Sequence, residues 1–156
     1  MSDPFARFTD RTRKVMLLAA EEAFNFGHTF IGSEHILLGI YREGTAVAVE
    51  LLNKAGLTEA NLRGEIENLL RAVGPAGNGH FHLTYHARQA LSIAAGFTTS
   101  DAPRRIDSDH LVLGMLKQQS GIVDQVFINF GIKRLELAKQ IRFRLELEDE
   151  SHPGEE

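Results

Sequence analysis

The sequence predicts an all-α protein, a pseudo-twofold tandem repeat of two four-helix units. Residues 31–39 return as residues 106–114, 75 positions later. Apolar residues recur at helical spacing in both halves, and no stretch alternates with the period of a strand. The same shift relates further positions along the chain: Thr9 to Thr84, Arg13 to Arg88, Gly56 to Gly131 and Ile66 to Ile141. A duplicated unit predicts that any site in one half has a counterpart in the other.

The first repeat is expected to hold four helices. Thr9 is a candidate N-cap for the first helix, which carries an apolar stripe and stops at Gly27. Ser33 is a candidate N-cap for the second helix, which ends near Gly44. A third helix is expected over about 46–54 and stops at Gly56. A fourth helix is expected to begin at Thr58, its N-cap.

The second repeat follows the same plan. Thr84 and Ser108 are candidate N-caps for its first two helices, at the positions that correspond to Thr9 and Ser33. A third helix is expected over about 122–129 and a last one over about 135–145.

The chain is expected to be a single domain over 1–156. Each half is small and would leave an apolar face exposed, so the halves should pack against each other. A run of turn-forming residues separates them, and the C-terminus is acidic and contains proline and glycine. The predicted boundaries are repeat one at 5–74, a linker at 75–80, repeat two at 81–147 and a flexible tail at 148–156.

Composition excludes several classes of function. The net charge is −4, with 17 basic and 21 acidic residues that are mixed along the chain, so nucleic-acid binding is not expected. The chain contains no apolar run long enough to span a membrane. It has no cysteine, which excludes disulfides, thiol catalysis and thiolate metal sites and fits a cytoplasmic protein.

Catalytic motifs are missing from the sequence. It contains neither a phosphate-binding loop of the type Gly-x-x-x-x-Gly-Lys-Ser/Thr nor a Gly-x-Ser-x-Gly elbow. Ser33 stands where a helix cap is wanted, so we interpret it as a cap rather than a nucleophile. With no visible nucleophile–base pair, the protein is not expected to be an enzyme or to need a cofactor.

The histidines raise the question of a metal site. His80, His82 and His86 lie close together, and Asp109 and His110 add a carboxylate and an imidazole. Two of the three clustered histidines lie in or beside the linker, and no His-Glu-x-x-His pattern occurs, so no metal site is expected. His110 corresponds to His35 in repeat one, which favours a shared role in packing or hydrogen bonding.

An acid follows the capping serine in both repeats, as Glu34 and Asp109. A carboxylate in the first turn of a helix is stabilised by the helix dipole, which is one sufficient interpretation. The other involves Thr9 and Thr84, because helix N-termini there would suit an anion while the carboxylates would suit a guanidinium. Such a site would take a ligand that is cationic at one end and anionic at the other. The residues alone leave both interpretations open.

Several segments resemble the N-terminal domain of Clp-type protein unfoldases, most of all the ClpC branch. In the first repeat the resemblance lies in residues 7–11, 20–23, 27–28, 31–39 and 42–44. Thr84 and residues 106–114 resemble the second Clp-N repeat of that domain. The likeness extends over about 5–147.

The resemblance implies a fold and a function. The family's domain is a helical pseudodimer of two four-helix repeats, placed above an ATP-driven hexameric ring that feeds a proteolytic chamber. It receives protein substrates and adaptors without catalysis, and in ClpC of some Gram-positive bacteria it recognises phosphorylated arginine. By position, the family's guanidinium-binding acids fall on Glu34 and Asp109, and its phosphate-side threonines on Thr9 and Thr84. The expected partners are substrates or adaptors and Clp unfoldase or protease subunits.

The sequence departs from the family in the second repeat and in length. Asp109 is shorter than the usual glutamate, and Arg104 and Arg105 precede it, where they could compete for it or assist a phosphate. A pocket at Thr9 and Glu34 is therefore the safer expectation. The chain stops where the family continues into ATPase modules, so we expect an excised domain or a stand-alone protein, and the tail and the divergence of repeat two favour the second. A stand-alone protein could instead regulate or decoy the Clp machinery by docking on it without binding phosphoarginine.

Overall fold

A computed structural model describes residues 6–73, 82–98 and 105–151. Within those ranges the chain is almost entirely helical, as predicted, and none of the helices is long and apolar enough to cross a membrane. The helices are α1 Asp10–Asn25, α2 Ser33–Glu43, α3 Val47–Lys54, α4 Glu59–Val73, α5 Tyr85–Gly96, α6 Ser108–Lys117, α7 Ile122–Asn129 and α8 Arg134–Ser151. Two strands of two residues each, β1 Phe30–Ile31 and β2 His82–Leu83, were not predicted.

Threonines cap the helices for which the sequence proposed them. The hydroxyls of Thr9, Thr58 and Thr84 each accept the backbone N–H three residues further on, at 3.3, 3.2 and 3.1 Å. Each bond satisfies one of the N–H groups that a helix leaves without a partner in its first turn. The predicted starts of α1, α4 and α5 are confirmed.

The prediction that Ser33 and Ser108 cap α2 and α6 is wrong. Both serines are the first residue inside their helix, and the N-caps are Gly32 and Asp107, which have extended backbones. Neither serine hydroxyl is needed as a cap, because a different side chain forms a hydrogen bond at the start of each helix. The hydroxyl of Ser108 has no hydrogen-bond partner in the described part of the chain.

That side chain is a histidine. The Nδ1 atoms of His35 and His110 accept the N–H groups of the N-cap residues, at 2.9 Å in both repeats. This is the reaching-back half of a capping box, with imidazole in place of the usual glutamate or glutamine. The shared hydrogen-bonding role predicted for the two histidines is confirmed.

The two repeats exchange backbone segments reciprocally. Leu83 of repeat two pairs in parallel with Ile31 of repeat one, and Phe8 of repeat one pairs with Ile106 of repeat two. Thr84, which follows Leu83, donates its N–H to the carbonyl of Ile31 at 3.0 Å. Thr9, which follows Phe8, donates its N–H to the carbonyl of Ile106 at 3.1 Å. Each repeat therefore holds the residues in front of the other's second helix, which is the pseudo-twofold arrangement predicted.

One core serves both repeats. Buried side chains from α2 and α3, such as Ile36 and Leu52, belong to the same cluster as Leu111 of α6 and Phe127 of α7. Neither repeat has a separate core in the described residues, as expected for halves too small to fold well alone.

The C-terminal helix is longer than predicted. Helix α8 continues to Ser151, beyond the expected end near Leu145 and into the segment expected to be a flexible tail. Glutamate and leucine, which dominate this stretch, are good helix formers, so the helix does not stop where its apolar pattern weakens. The predicted linker at 75–80 and residues 152–156 lie outside the described residues.

Candidate functional site

The predicted site residues form two clusters, each drawn from both repeats. The hydroxyl of Thr9 donates to Asp107 Oδ1 at 3.0 Å, two residues before Asp109. Thr84 donates its N–H to the carbonyl of Ile31, three residues before Glu34, at 3.0 Å. The expected pairing of Thr9 with Glu34 is therefore wrong, because segment exchange sets Thr9 beside the Asp109 segment and Thr84 beside the Glu34 segment.

The two clusters are copies related by the repeat. The Asp109 site consists of Thr9, Arg11, Thr45, Asp107 and Asp109. At the corresponding positions the Glu34 site has Thr84, His86, Ser120, Gly32 and Glu34.

A guanidinium lies in the Asp109 site. Arg11 donates from Nε to Asp107 Oδ1 at 2.6 Å, and its Nη2 forms an ion pair with the other oxygen of the same carboxylate. The same Nη2 lies 3.4 Å from Asp109 Oδ2. Its Nη1 donates to the carbonyl and the hydroxyl of Thr45, at 3.0 Å each. Thus Arg11 makes paired, charge-assisted contacts of the kind that a guanidinium ligand would make.

Asp109 also has a structural task. Its side chain is fully buried, and its oxygens accept the N–H groups of Val47 at 3.1 Å and Ala48 at 2.8 Å. The N-cap of α3 is Ala46, which has no side-chain acceptor of its own. Asp109 of repeat two therefore caps a helix of repeat one, and the shorter aspartate reaches this helix start.

Charge and burial act together on these groups. The hydrogen bond with Asp107 raises the pKa of Arg11. Burial alone would raise the pKa of Asp107, but its bonds with Arg11 bring it below the ordinary value. Burial raises the pKa of Asp109, against the opposing effect of the two α3 N–H groups. The guanidinium is therefore the counter-charge that favours the ionised form of Asp107, and it acts in the same direction, but less strongly, on Asp109.

Glu34 has a different environment. It is 5% exposed, and no hydrogen bond or ion pair reaches its carboxylate from another residue of the described chain. The carboxylate is folded over Gly32, where a Cβ would lie 2.7 Å from the carboxylate carbon, so in this conformation it occupies the space that a side chain at position 32 would need. Burial raises the pKa of Glu34. A buried carboxylate without a cation is costly, and such groups concentrate at functional sites.

The other residues of the Glu34 site differ from their counterparts in the Asp109 site. His86, at the position of Arg11, makes a 2.8 Å hydrogen bond between its Nε2 and the hydroxyl of Ser120 and makes none to a described carboxylate. Gly121, the N-cap of α7, provides no side-chain cap for that helix. The Thr84 hydroxyl accepts an N–H of α5. In the Asp109 site the hydroxyl of Thr9 donates to an aspartate, and the residue at that aspartate's position is a glycine here. The site therefore contains a buried acid, a hydroxyl and the start of α7, which has no side-chain cap.

Other candidates do not contribute to these sites. Among the described side chains no group of three histidine or acidic residues could hold a metal ion, and His80 and the side chain of His82 lie outside them. Arg104 also lies outside the described residues, and Arg105 contacts the carbonyl of Phe8 at 3.5 Å. The arginine that competes for Asp109 is therefore Arg11, which was not predicted from the sequence. The signal was present, because the repeat offset sets Arg11 on His86 and Asp107 on Gly32.

Comparison with known proteins gives the family. Residues 7–126 match the Clp repeat (R) N-terminal domain. The chain is 33% identical over 150 residues to the chaperone protein ClpB of Oceanobacillus iheyensis, covering 96% of this chain and 18% of that protein. It is 32% identical over 137 residues to the negative regulator of genetic competence ClpC/MecB of Bacillus subtilis, covering 88% and 17%. The chain thus spans less than a fifth of the length of these relatives.

Solved structures share the fold. The N-terminal domain of the caseinolytic protease associated chaperone ClpD from Arabidopsis thaliana superposes with a TM-score of 0.69 at 19% identity. That match covers 93% of this chain and 98% of the ClpD domain. With the family match and the relatives above, the chain belongs to the Clp repeat N-terminal domains.

Proposed function

We propose that this Clp repeat N-terminal domain is a non-catalytic receptor for protein substrates or adaptors of the Clp degradation system, and that its Glu34 site binds phosphoarginine. The proposal is carried by one observation. Glu34 is buried without a cation among the described residues, whereas its counterpart Asp109 and the nearby Asp107 hold an arginine side chain.

The guanidinium of the ligand would be bound by Glu34. A guanidinium is planar, permanently charged and able to make two parallel hydrogen bonds to one carboxylate. Arg11, which lies in the Asp109 site, is an example within the same molecule of a guanidinium bound in the corresponding site of the other repeat. A ligand cation would also relieve the cost of the buried charge, which makes the interaction stronger than an exposed ion pair.

The phosphoryl group would be bound by the helix start beside Glu34. The Thr84 hydroxyl has a hydrogen to donate, since Asp107, which accepts the hydroxyl hydrogen of Thr9, corresponds to Gly32 here. Helix α5 begins at Tyr85, and the N-terminus of a helix favours an anion through its free N–H groups and its dipole. A zwitterionic side chain with adjacent guanidinium and phosphoryl groups would satisfy both parts of the site.

Calorimetric titration of phosphoarginine into the wild-type protein and into Glu34→Gln tests the proposal. We expect saturable heat from the wild type and at least a tenfold loss of affinity in the variant, because a buried charge-assisted pair is worth more than about 1.4 kcal/mol. Free arginine, which lacks the phosphoryl group, should bind more weakly. Wild-type protein that releases no heat with phosphoarginine, or Glu34→Gln that binds equally well, would refute the site.

The same variant supplies its own folding control. Burial holds the pKa of Glu34 above its ordinary value of 4.5, so stability from this group decreases as the pH rises above that value. At neutral pH, Glu34→Gln removes a buried charge and is expected to raise the thermal midpoint. A loss of binding in a more stable protein cannot come from unfolding.

A second candidate function is a regulator or decoy that docks on the Clp unfoldase or protease without binding phosphoarginine. Leu17 and Phe24, seven residues apart on α1, are 70% and 72% exposed and lie on one side of the helix. Binding to purified Clp unfoldase and protease subunits separates the two functions. Docking of this kind would be unaffected by Glu34→Gln and lost in Phe24→Asp.

A further inference from the structure

The Asp109 site holds its guanidinium as completely as a binding site holds a ligand. Arg11 uses Nε once and Nη1 and Nη2 twice each in its hydrogen bonds, which accounts for the five N–H donors of a guanidinium. The acceptors come from both repeats: Thr45 belongs to repeat one, and Asp107 and Asp109 belong to repeat two. Arg11 itself follows the helix cap that the first repeat contributes to this site.

Two substitutions between the repeats explain why only one site is filled. Asp107 stands where repeat one has Gly32, and Arg11 stands where repeat two has His86. The aspartate adds a carboxylate, and the arginine is long enough to reach both acids, whereas the imidazole of His86 ends at Ser120. A glycine at 107 would leave room for a longer acid at 109 to fold back, as Glu34 folds over Gly32.

We propose that Arg11 is a built-in ligand that occupies the second copy of the guanidinium site, so that the chain presents one open site, at Glu34. That the Glu34 site accepts a guanidinium rests on the proposed function. The occupation of the Asp109 site rests on the contacts of Arg11. This divergence turns a twofold receptor into a monovalent one, because a ligand would have to displace a tethered side chain from Asp107 and from the buried Asp109.

Chemical rescue tests the filled site without phosphoarginine. Arg11→Ala removes the atoms that ethylguanidinium contains and leaves Asp107 and Asp109 without their counter-charge. We expect the variant to melt at a lower temperature than the wild type and to recover several degrees in millimolar ethylguanidinium, as a ligand that binds only the folded state requires. The amide signals of Val47 and Ala48, whose N–H groups Asp109 accepts, should shift on addition.

The controls separate a specific site from a general salt effect. In Arg11→Ala/Asp107→Asn the paired acid is neutral, so ethylguanidinium should no longer raise the melting temperature. Ethylammonium, which lacks the planar fork, should rescue Arg11→Ala less well. Equal rescue of the single and double variants, or none in the single variant, would overturn the proposal.

A measurement on the wild type covers the case in which Arg11→Ala does not fold. The Nε–H of Arg11 donates to a carboxylate at 2.6 Å, so its proton should exchange with water far more slowly than that of an exposed arginine. Exchange as fast as that of free arginine would contradict the built-in ligand. Neither experiment involves phosphoarginine, so failure here leaves the test of the Glu34 site intact.

Discussion

At the scale of single residues, His35 shows how a hydrogen-bond pattern fixes a protonation state. Its Nδ1 accepts the N–H of Gly32 at 2.9 Å, so its proton must be on Nε2. That Nε2 lies 3.3 Å from Nδ1 of His28 and donates to it. Both rings are buried among Phe26 and Phe30, and both are therefore neutral. Protonating Nδ1 of His35 would remove the bond that begins α2.

Stability should accordingly decrease in mild acid. Burial first, and then the proximity of His28, lower the pKa of His35 from 6.5 to about 4, against the opposing charge of Glu22. Between pH 6.5 and about pH 4, the unfolded chain binds a proton at His35 that the folded chain does not bind. The free energy of unfolding is therefore highest above pH 6.5 and decreases down to about pH 4. The loss is on the order of 3 kcal/mol. Urea unfolding between pH 7 and pH 4 measures it.

His35→Gln is the matched variant. Glutamine at this position of a helix retains an acceptor for the N-cap N–H but does not titrate. We expect its stability to depend much less on pH over the same interval, at a similar stability in mild acid. An unchanged slope would show that the acid sensitivity arises elsewhere.

At the scale of helices, one glycine in each repeat lets the first two helices of that repeat approach closely. A Cβ on Gly39 of α2 would lie 2.6 Å from the carbonyl oxygen of Val15 on α1. In repeat two, a Cβ on Gly114 of α6 would lie 2.6 Å from the carbonyl oxygen of Ala90 on α5. The obstacle is backbone in both cases, so no side-chain rotation can relieve it. This packing positions α2 and α6, which carry Glu34 and Asp109.

Gly39→Ala and Gly114→Ala should each destabilise the protein by about 2–3 kcal/mol, because helices have to separate in a filled core. Gly64 in α4 is the control, since a Cβ there would have no heavy atom within 4 Å. Gly64→Ala should stabilise by about 0.5–1 kcal/mol through helix propensity alone. Thermal or urea unfolding of the three variants gives the comparison. A neutral Gly39→Ala would contradict the close approach.

Helix positions were the most predictable part of the fold. Apolar spacing, threonine caps and glycine stops are local signals, and the helices begin close to where these signals indicate. The serine caps failed because Ser33 and Ser108 each lie one residue after the N-cap, whose N–H is bonded by a histidine two residues after the serine, and a preference for serine caps cannot reveal this. The two-residue strands were missed because they depend on contact between repeats.

At the scale of the whole molecule, segment exchange decides which residues share a site. The sequence singled out four candidate site residues as a set, but chain proximity suggested partners within one repeat. The backbone bonds of Thr9 to Ile106 and of Thr84 to Ile31 pair them across repeats instead. This is tertiary information, which a repeat offset alone does not contain. Once the pairing is known, the same offset identifies Arg11 and Asp107 as the residues that make the two sites unequal.

The most direct test of this inequality is an NMR titration of the wild-type protein with phosphoarginine, followed at every assigned amide. We expect saturation at one ligand per chain, with shifts confined to the Glu34 site and the start of α7. The amides of Thr9, Val47 and Ala48 around the filled site should stay in place. Saturation at two ligands per chain, shifts centred on Val47 and Ala48, or no shifts at all would contradict the account.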